Sequence, residues 1–220
     1  CIRKSFDGSS VVVQLVECSS KYLLDLPALQ EILNLLDEMC EFVPERNALG
    51  EVVAFLVMAM RCYSNEEPLE RVSCVLIARV SENKNNWSSL LKGECVETVI
   101  VASNAFPDAS DIQHHALEFF SRMAEDADCR DSLRAHDGVR CVLECMNNNA
   151  KVKHVQQYGA MTLRLLTMEE SGSNLLSQGK MEILFKDYVE YKNDDDVMVP
   201  ILGIFGHYSE DITRDYMKNM

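Results

Sequence analysis

Apolar positions recur along this chain at a fixed interval of 43 residues. Four stretches that follow one another at this interval each open on an apolar residue: Leu26, Leu69, Ile112 and Val155. In the last two, a small residue, Ala116 or Gly159, follows four positions later. Self-similarity at roughly 40–47 residues is typical of helical repeat arrays. The pattern therefore predicts an all-α chain built from stacked helical units.

The second half of each unit keeps the same interval. Val53, Val96 and Val139 each begin a short apolar run. Within the third unit a short helical segment, CRDSLRA, and the turn HDG precede the run VRCVLECM, which predicts a long–short–long set of helices. We predict a single repeat domain over 1–220, with repeats at 26–68, 69–111, 112–154 and 155–196 and partial repeats at 10–25 and 197–220.

Two segments resemble the armadillo repeat: ALEFFSRMA and SLRAHDGVRCVLECM, which together lie within residues 116–146. Ala116 and Leu117 match the Ala-Leu opening of the family's third helix, Ser121 matches a residue near its end, and Gly138 matches the turn before the next helix. The resemblance covers about residues 26–210. It implies a right-handed α-solenoid of about four to five three-helix repeats, which binds other proteins in a concave groove.

The chain departs from the family at the two groove columns. The resemblance implies that the asparagine column is occupied by Leu36, Arg79, Arg122, Leu165 and His207. The tryptophan column is occupied by Ile32, Val75, Glu118, Met161 and Gly203. Neither column contains the family residue, so the chain is not expected to bind the lysine-rich peptides of nuclear-import members.

The residues in these columns predict a different ligand. If third helices stack side by side, Arg79 and Arg122 are neighbours about 10 Å apart, the spacing of packed helices. Arginine suits a carboxylate or phosphate, and Ile32 and Met161 are among the apolar residues on either side. We expect an extended peptide or helix with an acidic or phosphorylated centre and apolar flanks. The alternative is an ordinary Glu118–Arg122 surface pair and an Arg79 stem that covers apolar surface.

Composition narrows the functional classes. The net charge is −14, with 35 acidic against 21 basic residues, which argues against nucleic acid as a partner. No apolar run reaches the roughly 18–20 residues of a membrane span, so direct membrane insertion by this segment is not expected. The sequence shows no paired-carboxylate or nucleophile arrangement, and we predict a chain that is not an enzyme and needs no cofactor.

Cysteine and histidine spacings predict no metal site. The nine cysteines include no CxxC pair, and Cys40, Cys62, Cys74, Cys141 and Cys145 fall in helical patterns as reduced core thiols. His136 and His154 flank the last two at irregular distances. The adjacent residues His114 and His115 are expected to point to different faces of their helix.

These observations favour a non-enzymatic scaffold or adaptor that binds partner proteins through the concave groove. Compact armadillo-repeats-only chains are similar in size and plan, including one that tethers secretory organelles in apicomplexan parasites. Because the sequence begins at Cys1, a membrane anchor upstream would be compatible with a cytoplasmic, membrane-associated protein. The alternative function is a regulatory segment of a larger enzyme or motor protein. Apolar terminal repeats predict self-association or contacts with further segments of the protein.

Overall fold

A computed structural model describes residues 14–17, 19–42, 52–168, 176 and 178–208. Every regular element in these ranges is helical, as the apolar periodicity predicts. Residues 10–13 and 18 of the predicted partial repeat at 10–25 and residues 209–220 of the partial repeat at 197–220 lie outside the described residues. None of the helices in the described ranges is both long and apolar enough to cross a membrane.

The chain divides into two compact units, Cys1–Phe106 and Pro107–Met220. The first unit contains a 3-10 helix at Ser20–Tyr22 and a second at Lys84–Asn86. Its α-helices are α1 (Leu26–Phe42), α2 (Val52–Cys62), α3 (Glu67–Ser81), α4 (Trp87–Lys92) and α5 (Cys95–Ala105). The long helices α1 and α3 pack against each other, and α2 packs against α3 and α5.

The second unit contains six helices within its described residues. They are α6 (Ser110–Met123), α7 (Ala127–Ala135), α8 (Gly138–Asn148), α9 (Lys153–Thr167), α10 (Gln178–Glu190) and α11 (Asp195–His207). The helix α9 lies between α6 and α11 and contacts both, while α8 packs against α9 and α10. The prediction of a single domain over 1–220 stays a prediction.

The helix boundaries follow the predicted interval. The helices α3, α6 and α9 begin at Glu67, Ser110 and Lys153, 43 residues apart. Each begins two residues before the apolar residue that the sequence pattern identifies. The long–short–long plan is confirmed for α3, α4 and α5 and for α6, α7 and α8. Leu69, Ile112 and Val155 are all fully buried, because they start the inward-facing stripe of their helices.

Buried glutamine and glutamate side chains form a further column at the same interval. Glu70, Gln113 and Gln156 are each at most 1% exposed. In the second unit, the Gln156 amide donates to the Met146 carbonyl at 2.9 Å and to the Asn149 carbonyl at 3.0 Å. Both carbonyls lie at the end of α8, where carbonyls lack partners within the helix, so the amide contributes hydrogen bonds that burial requires. The Asn149 carbonyl also accepts from the Val152 N–H at 2.9 Å.

The turns before α5 and α8 have the same unusual backbone. Glu94 (φ 59°) and Asp137 (φ 61°) lie in the left-handed region, which carries a steric cost for residues with a side chain. Sequence reasoning assigned the turn to Gly138. Gly138 instead begins α8, where an added Cβ would lie 2.6 Å from the Leu133 carbonyl oxygen. That position excludes side chains for a packing reason rather than for its backbone angles.

This turn yields a test with matched variants. Asp137→Val and Asp137→Gly both remove the exposed ion pair with Arg140, so their difference reports the backbone. We expect the valine variant to be less stable than the glycine variant by about 1–2 kcal/mol, because a β-branched residue is strained at positive φ. Urea denaturation followed by circular dichroism measures the difference. Equal stabilities would show that the turn is not held in this conformation in solution.

The cysteine predictions are confirmed with one exception. Cys40, Cys74, Cys141 and Cys145 are buried free thiols. Cys62 is also a free thiol, but it is exposed, so its assignment to the core is wrong. It is the last residue of α2, whose buried residues end at Met60.

Candidate protein-binding site

The second unit presents an accessible surface where α6 and α9 lie side by side. Glu118 and Arg122 of α6 and Met161 and Leu165 of α9 remain half-buried or exposed, while the opposite stripes of both helices are fully buried. We call these four residues the α6–α9 face. All four are residues that the armadillo columns predict. Met161 is 36% exposed, the largest apolar exposure within the face.

The charged half of the α6–α9 face is organised around Glu118. Arg122 Nη2 donates to Glu118 Oε1 at 2.8 Å, and Glu118 Oε2 lies 3.1 Å from His115 Nδ1. Burial tends to raise the pKa of Glu118, but the hydrogen bond with His115 and the charge of Arg122 outweigh it. The pKa of this carboxyl therefore lies below its usual value. Glu118 is an anion held between two nitrogen donors at neutral pH.

Aromatic and imidazole rings continue the surface beyond Glu118. The His114 ring stacks on His115 with centroids 4.5 Å apart, on His154 at 5.1 Å and on Tyr158 at 5.6 Å. We call His114, His115, His154 and Glu118 the histidine cluster. Burial lowers the pKa of His114, and the proximity of His115 lowers it further. Both effects favour the neutral form of the His114 imidazole.

The expected divergence of His114 and His115 is wrong. Adjacent helix positions differ by about 100° around the axis, and rotation about two side-chain bonds is enough to bring both rings over the same surface. His154 joins them from α9, although its spacing from the cysteines suggested no ligand set. The sequence contained one signal that these rings share a surface. Tyr158 lies 43 residues after His115, at the equivalent position of the next repeat.

The first unit places its predicted groove residues on α1 and α3. Arg79 Nε lies 3.1 Å from Asp37 Oδ1, so the guanidinium is paired with a carboxylate of the neighbouring helix. Ile32 lies on α1 and Val75 lies on α3, and both are half-buried. Sequence reasoning missed Asp37, since its role depends on how α1 and α3 pack. The proposed adjacency of Arg79 and Arg122 concerns residues of different units and stays a prediction.

Two of the predicted groove residues have other surroundings. Leu36 is fully buried, so its assignment to an accessible groove is wrong. It lies on the stripe of α1 that also buries Leu29 and Leu33, seven and three positions earlier along one helix face. His207 is exposed at the last position of α11, close to the end of the described residues.

Each unit also contains an open pocket outside these surfaces. The pocket of the first unit has a volume of about 280 Å³ and brings together side chains of α2, α3 and α5: Met60, Arg61, Ser64, Glu70, Glu97, Thr98 and Val101. The pocket of the second unit has a volume of about 290 Å³ between α8 and α10: Arg140, Leu143, Glu144, Asn147, Lys180 and Ile183. The second pocket identifies an alternative surface against which the α6–α9 face can be tested.

Comparison with known proteins confirms the architecture. A family model described as LRRK2 ARM repeat matches residues 21–218. No curated protein and no solved structure matches the chain significantly. The armadillo resemblance and the all-α, armadillo-like solenoid fold class are therefore confirmed. The narrower likeness to the apicomplexan organelle tether is not confirmed by these comparisons.

Proposed function

The chain belongs to the LRRK2 ARM repeat family, and from this premise we propose that it is a non-enzymatic interaction module whose α6–α9 face binds a partner protein. Armadillo repeats bind proteins as a class, and repeat arrays present extended surfaces for this purpose. The observation that carries the proposal is the coincidence of two independent features. On α6 and α9, the positions that the armadillo columns predict for a groove are accessible, and they carry a charged pair on α6 and the apolar side chains Met161 and Leu165 on α9.

The Arg122–Glu118 pair determines the chemistry of the ligand. Both side chains are partly accessible, at 25% and 17% exposure. Because the Arg122 side chain keeps part of its surface accessible, an incoming carboxylate or phosphate can reach the guanidinium and compete with Glu118 for it. A phosphate or bidentate carboxylate matches the planar guanidinium better than a side chain of the same helix. We propose that the acidic centre of the ligand binds Arg122 by this exchange.

The apolar half of the face supports apolar flanks in the ligand. Met161 and Leu165 are four residues apart on α9 and follow the same helix face. Methionine adapts its shape to different partners and is common at such surfaces. A helix or extended segment with one acidic centre and a neighbouring apolar residue fits this arrangement. The Arg79–Asp37 pair, with Val75 on the same helix, offers a similar combination in the first unit.

The test uses peptides selected against the whole chain. Peptides from a displayed random library, and phosphorylated versions of the selected sequences, are titrated by fluorescence anisotropy. We expect Arg122→Glu to weaken the selected peptides by at least about tenfold, since it replaces attraction by like-charge repulsion. Met161→Ser should weaken them less, because only apolar contact area is lost.

The double variant Arg140→Ala with Glu144→Ala is the matched control. It removes an i,i+4 ion pair of the same kind on α8, at the alternative pocket of the same unit. Affinity for the selected peptides should stay within about twofold of wild type. Retained binding in Arg122→Glu together with lost binding in the α8 variant would move the binding surface to α8 and α10.

Two finer roles extend this proposal. The first is recruitment of the partner to an organelle or membrane in the cytoplasm, through an anchor upstream. The second is a regulatory armadillo segment within a larger enzyme or motor protein.

Self-association is a further extension, supported by Val199 and Leu202, which are about half exposed on α11. Sedimentation velocity of Leu202→Ser against wild type tests it, with dimer lost in the variant as the expected result.

A further inference from the structure

Side chains of the kinds that bind transition metals converge on the surface of the second unit. One donor atom from each of His114, His115 and Glu118 lies within 4.8 Å of the other two. His154 approaches from α9, with its ring centroid 5.1 Å from that of His114. Three of these four residues belong to one turn and a half of α6, and the fourth comes from the helix packed against it.

We propose that the histidine cluster is a binding site for a divalent transition metal ion such as Zn²⁺, with His114, His115 and Glu118 as ligands from α6 and His154 as the fourth ligand from α9. Two or three imidazoles with one carboxylate form a ligand set that zinc accepts in four-coordinate sites. Imidazole nitrogen selects such ions over Mg²⁺ and Ca²⁺, which prefer oxygen ligands.

The distances are close to those that coordination requires. Zinc binds nitrogen and oxygen at about 2.0–2.2 Å, so donor atoms around a tetrahedral ion lie about 3.4 Å apart. The donors of His114, His115 and Glu118 already lie within 4.8 Å of one another and need to approach by about 1.4 Å at most, which side-chain rotation provides. The His154 ring, stacked on His114, has to turn toward them to complete the set. Their helix positions, at i, i+1 and i+4, do not need to change.

The surroundings supply an outer set of interactions. Arg122 Nη2 holds Glu118 Oε1 at 2.8 Å and leaves Oε2, which faces His115, as the oxygen directed into the cluster. Carboxylate ligands of metal sites are commonly oriented by such hydrogen bonds. The proposal does not depend on the proposed function, because it concerns ion binding by this chain alone. A bound ion would fix α6 to α9 and thereby set the shape of the α6–α9 face.

Isothermal titration calorimetry with ZnCl₂ tests the site on the full chain without an affinity tag. Cys62 is replaced by serine in every protein, because it is an exposed thiol that could bind zinc separately. The variants are His115→Ala and Glu118→Gln. The matched control is His136→Ala, which removes the exposed histidine that follows α7, whose Nδ1 lies 2.8 Å from the Ser132 carbonyl oxygen.

We expect one ion per chain and a rise of the melting temperature with zinc. Both cluster variants should bind at least about tenfold more weakly, and the control should bind like wild type. Glu118→Gln preserves side-chain shape and decides the result if His115→Ala proves unstable without metal. Substituted Co²⁺ should give the visible spectrum of nitrogen and oxygen ligands without a thiolate charge-transfer band. Binding that is unchanged in Glu118→Gln, or equally weakened in His136→Ala, or accompanied by a thiolate band, would overturn the proposal.

Discussion

Gly159→Leu is expected to lower the free energy of unfolding by about 3 kcal/mol, at the upper end of the range for overpacked cores. Gly159 lies inside α9 and is buried. A Cβ built at this position would lie 2.5 Å from Met146 Cγ and 2.6 Å from Met146 Sδ. The methionine of α8 therefore occupies the space that any side chain would need. Urea denaturation followed by circular dichroism measures the change.

The smaller change Gly159→Ala separates packing from helix propensity. Alanine normally stabilises a helix by about 1 kcal/mol relative to glycine. At Gly159 the clash should reverse that sign. Gly206 of α11 is the matched control, because a Cβ there would meet no atom within 4 Å. Gly206→Ala should therefore be neutral or slightly stabilising, since it lies near the helix end.

A double variant attributes the loss to Met146. Met146→Ala alone should be destabilising by about 2–5 kcal/mol, because it leaves a cavity in the core. In the double variant with Gly159→Leu, the new leucine side chain fills that cavity. The double variant should therefore lose less stability than the sum of the two single losses, by more than about 1 kcal/mol. Strict additivity would show that the two residues are not in contact and that α8 and α9 pack differently.

Glu70→Gln is expected to stabilise the protein by on the order of 3 kcal/mol at pH 9. Burial raises the pKa of Glu70 to about 8. Its Oε2 atom has no hydrogen-bond partner within the described part of the chain. The equivalent residue two repeats later, Gln156, donates to two carbonyls at a helix end. An ionised glutamate has no proton to donate, so glutamine suits this column better.

The sign of the pH dependence follows from the raised pKa. Between about pH 4.5 and 8 the folded protein keeps the Glu70 proton while the unfolded chain releases it. Folding therefore takes up a proton, and stability falls as the pH rises through this window. Above about pH 8 the penalty is constant. The advantage of Glu70→Gln should shrink to about 1 kcal/mol or less at pH 5.

Thermal and urea unfolding at pH 5, 7 and 9 provide the measurement. Burial also raises the pKa of Asp187 to about 7, so that residue contributes its own slope below pH 7 in every variant. The interval from pH 7 to 9 isolates Glu70. Glu97→Gln is the control, because Glu97 lines the same pocket but is half exposed. An advantage of Glu70→Gln that stays equal at pH 5 and 9 would contradict the raised pKa.

The helical plan could be predicted from the sequence because burial repeats with the chain. Leu69, Ile112 and Val155 must each begin an inward stripe, so an interval of 43 residues locates α3, α6 and α9 to within two residues. The accessible positions Glu118 and Arg122 followed from the same register. The prediction for Leu36 did not hold, because Leu36 lies on the buried stripe of α1 with Leu29 and Leu33, in a helix that packs against α3.

The side-chain partners could not be predicted in the same way. Asp37 reaches Arg79 from another helix, and His154 reaches His114 from another helix, so both contacts depend on the angle at which two helices pack. The stacking of His114 on His115 depends on rotamers that the periodicity of a helix does not determine. The interval of 43 residues between Glu70, Gln113 and Gln156 was visible in the sequence. The role of this buried column became clear only from the structure, where the Gln156 amide donates to a carbonyl at the end of α8.

Photo-crosslinking tests most directly whether the partner peptide binds at the α6–α9 face, as the repeat register predicts. A selected peptide with a photoreactive group beside its acidic residue is irradiated in complex with the whole chain, and the adducts are located by mass spectrometry. We expect adducts on α6 and α9, concentrated near Arg122 and Met161, and their loss in Arg122→Glu. Adducts concentrated on α8 and α10, around Glu144 and Ile183, would contradict the account.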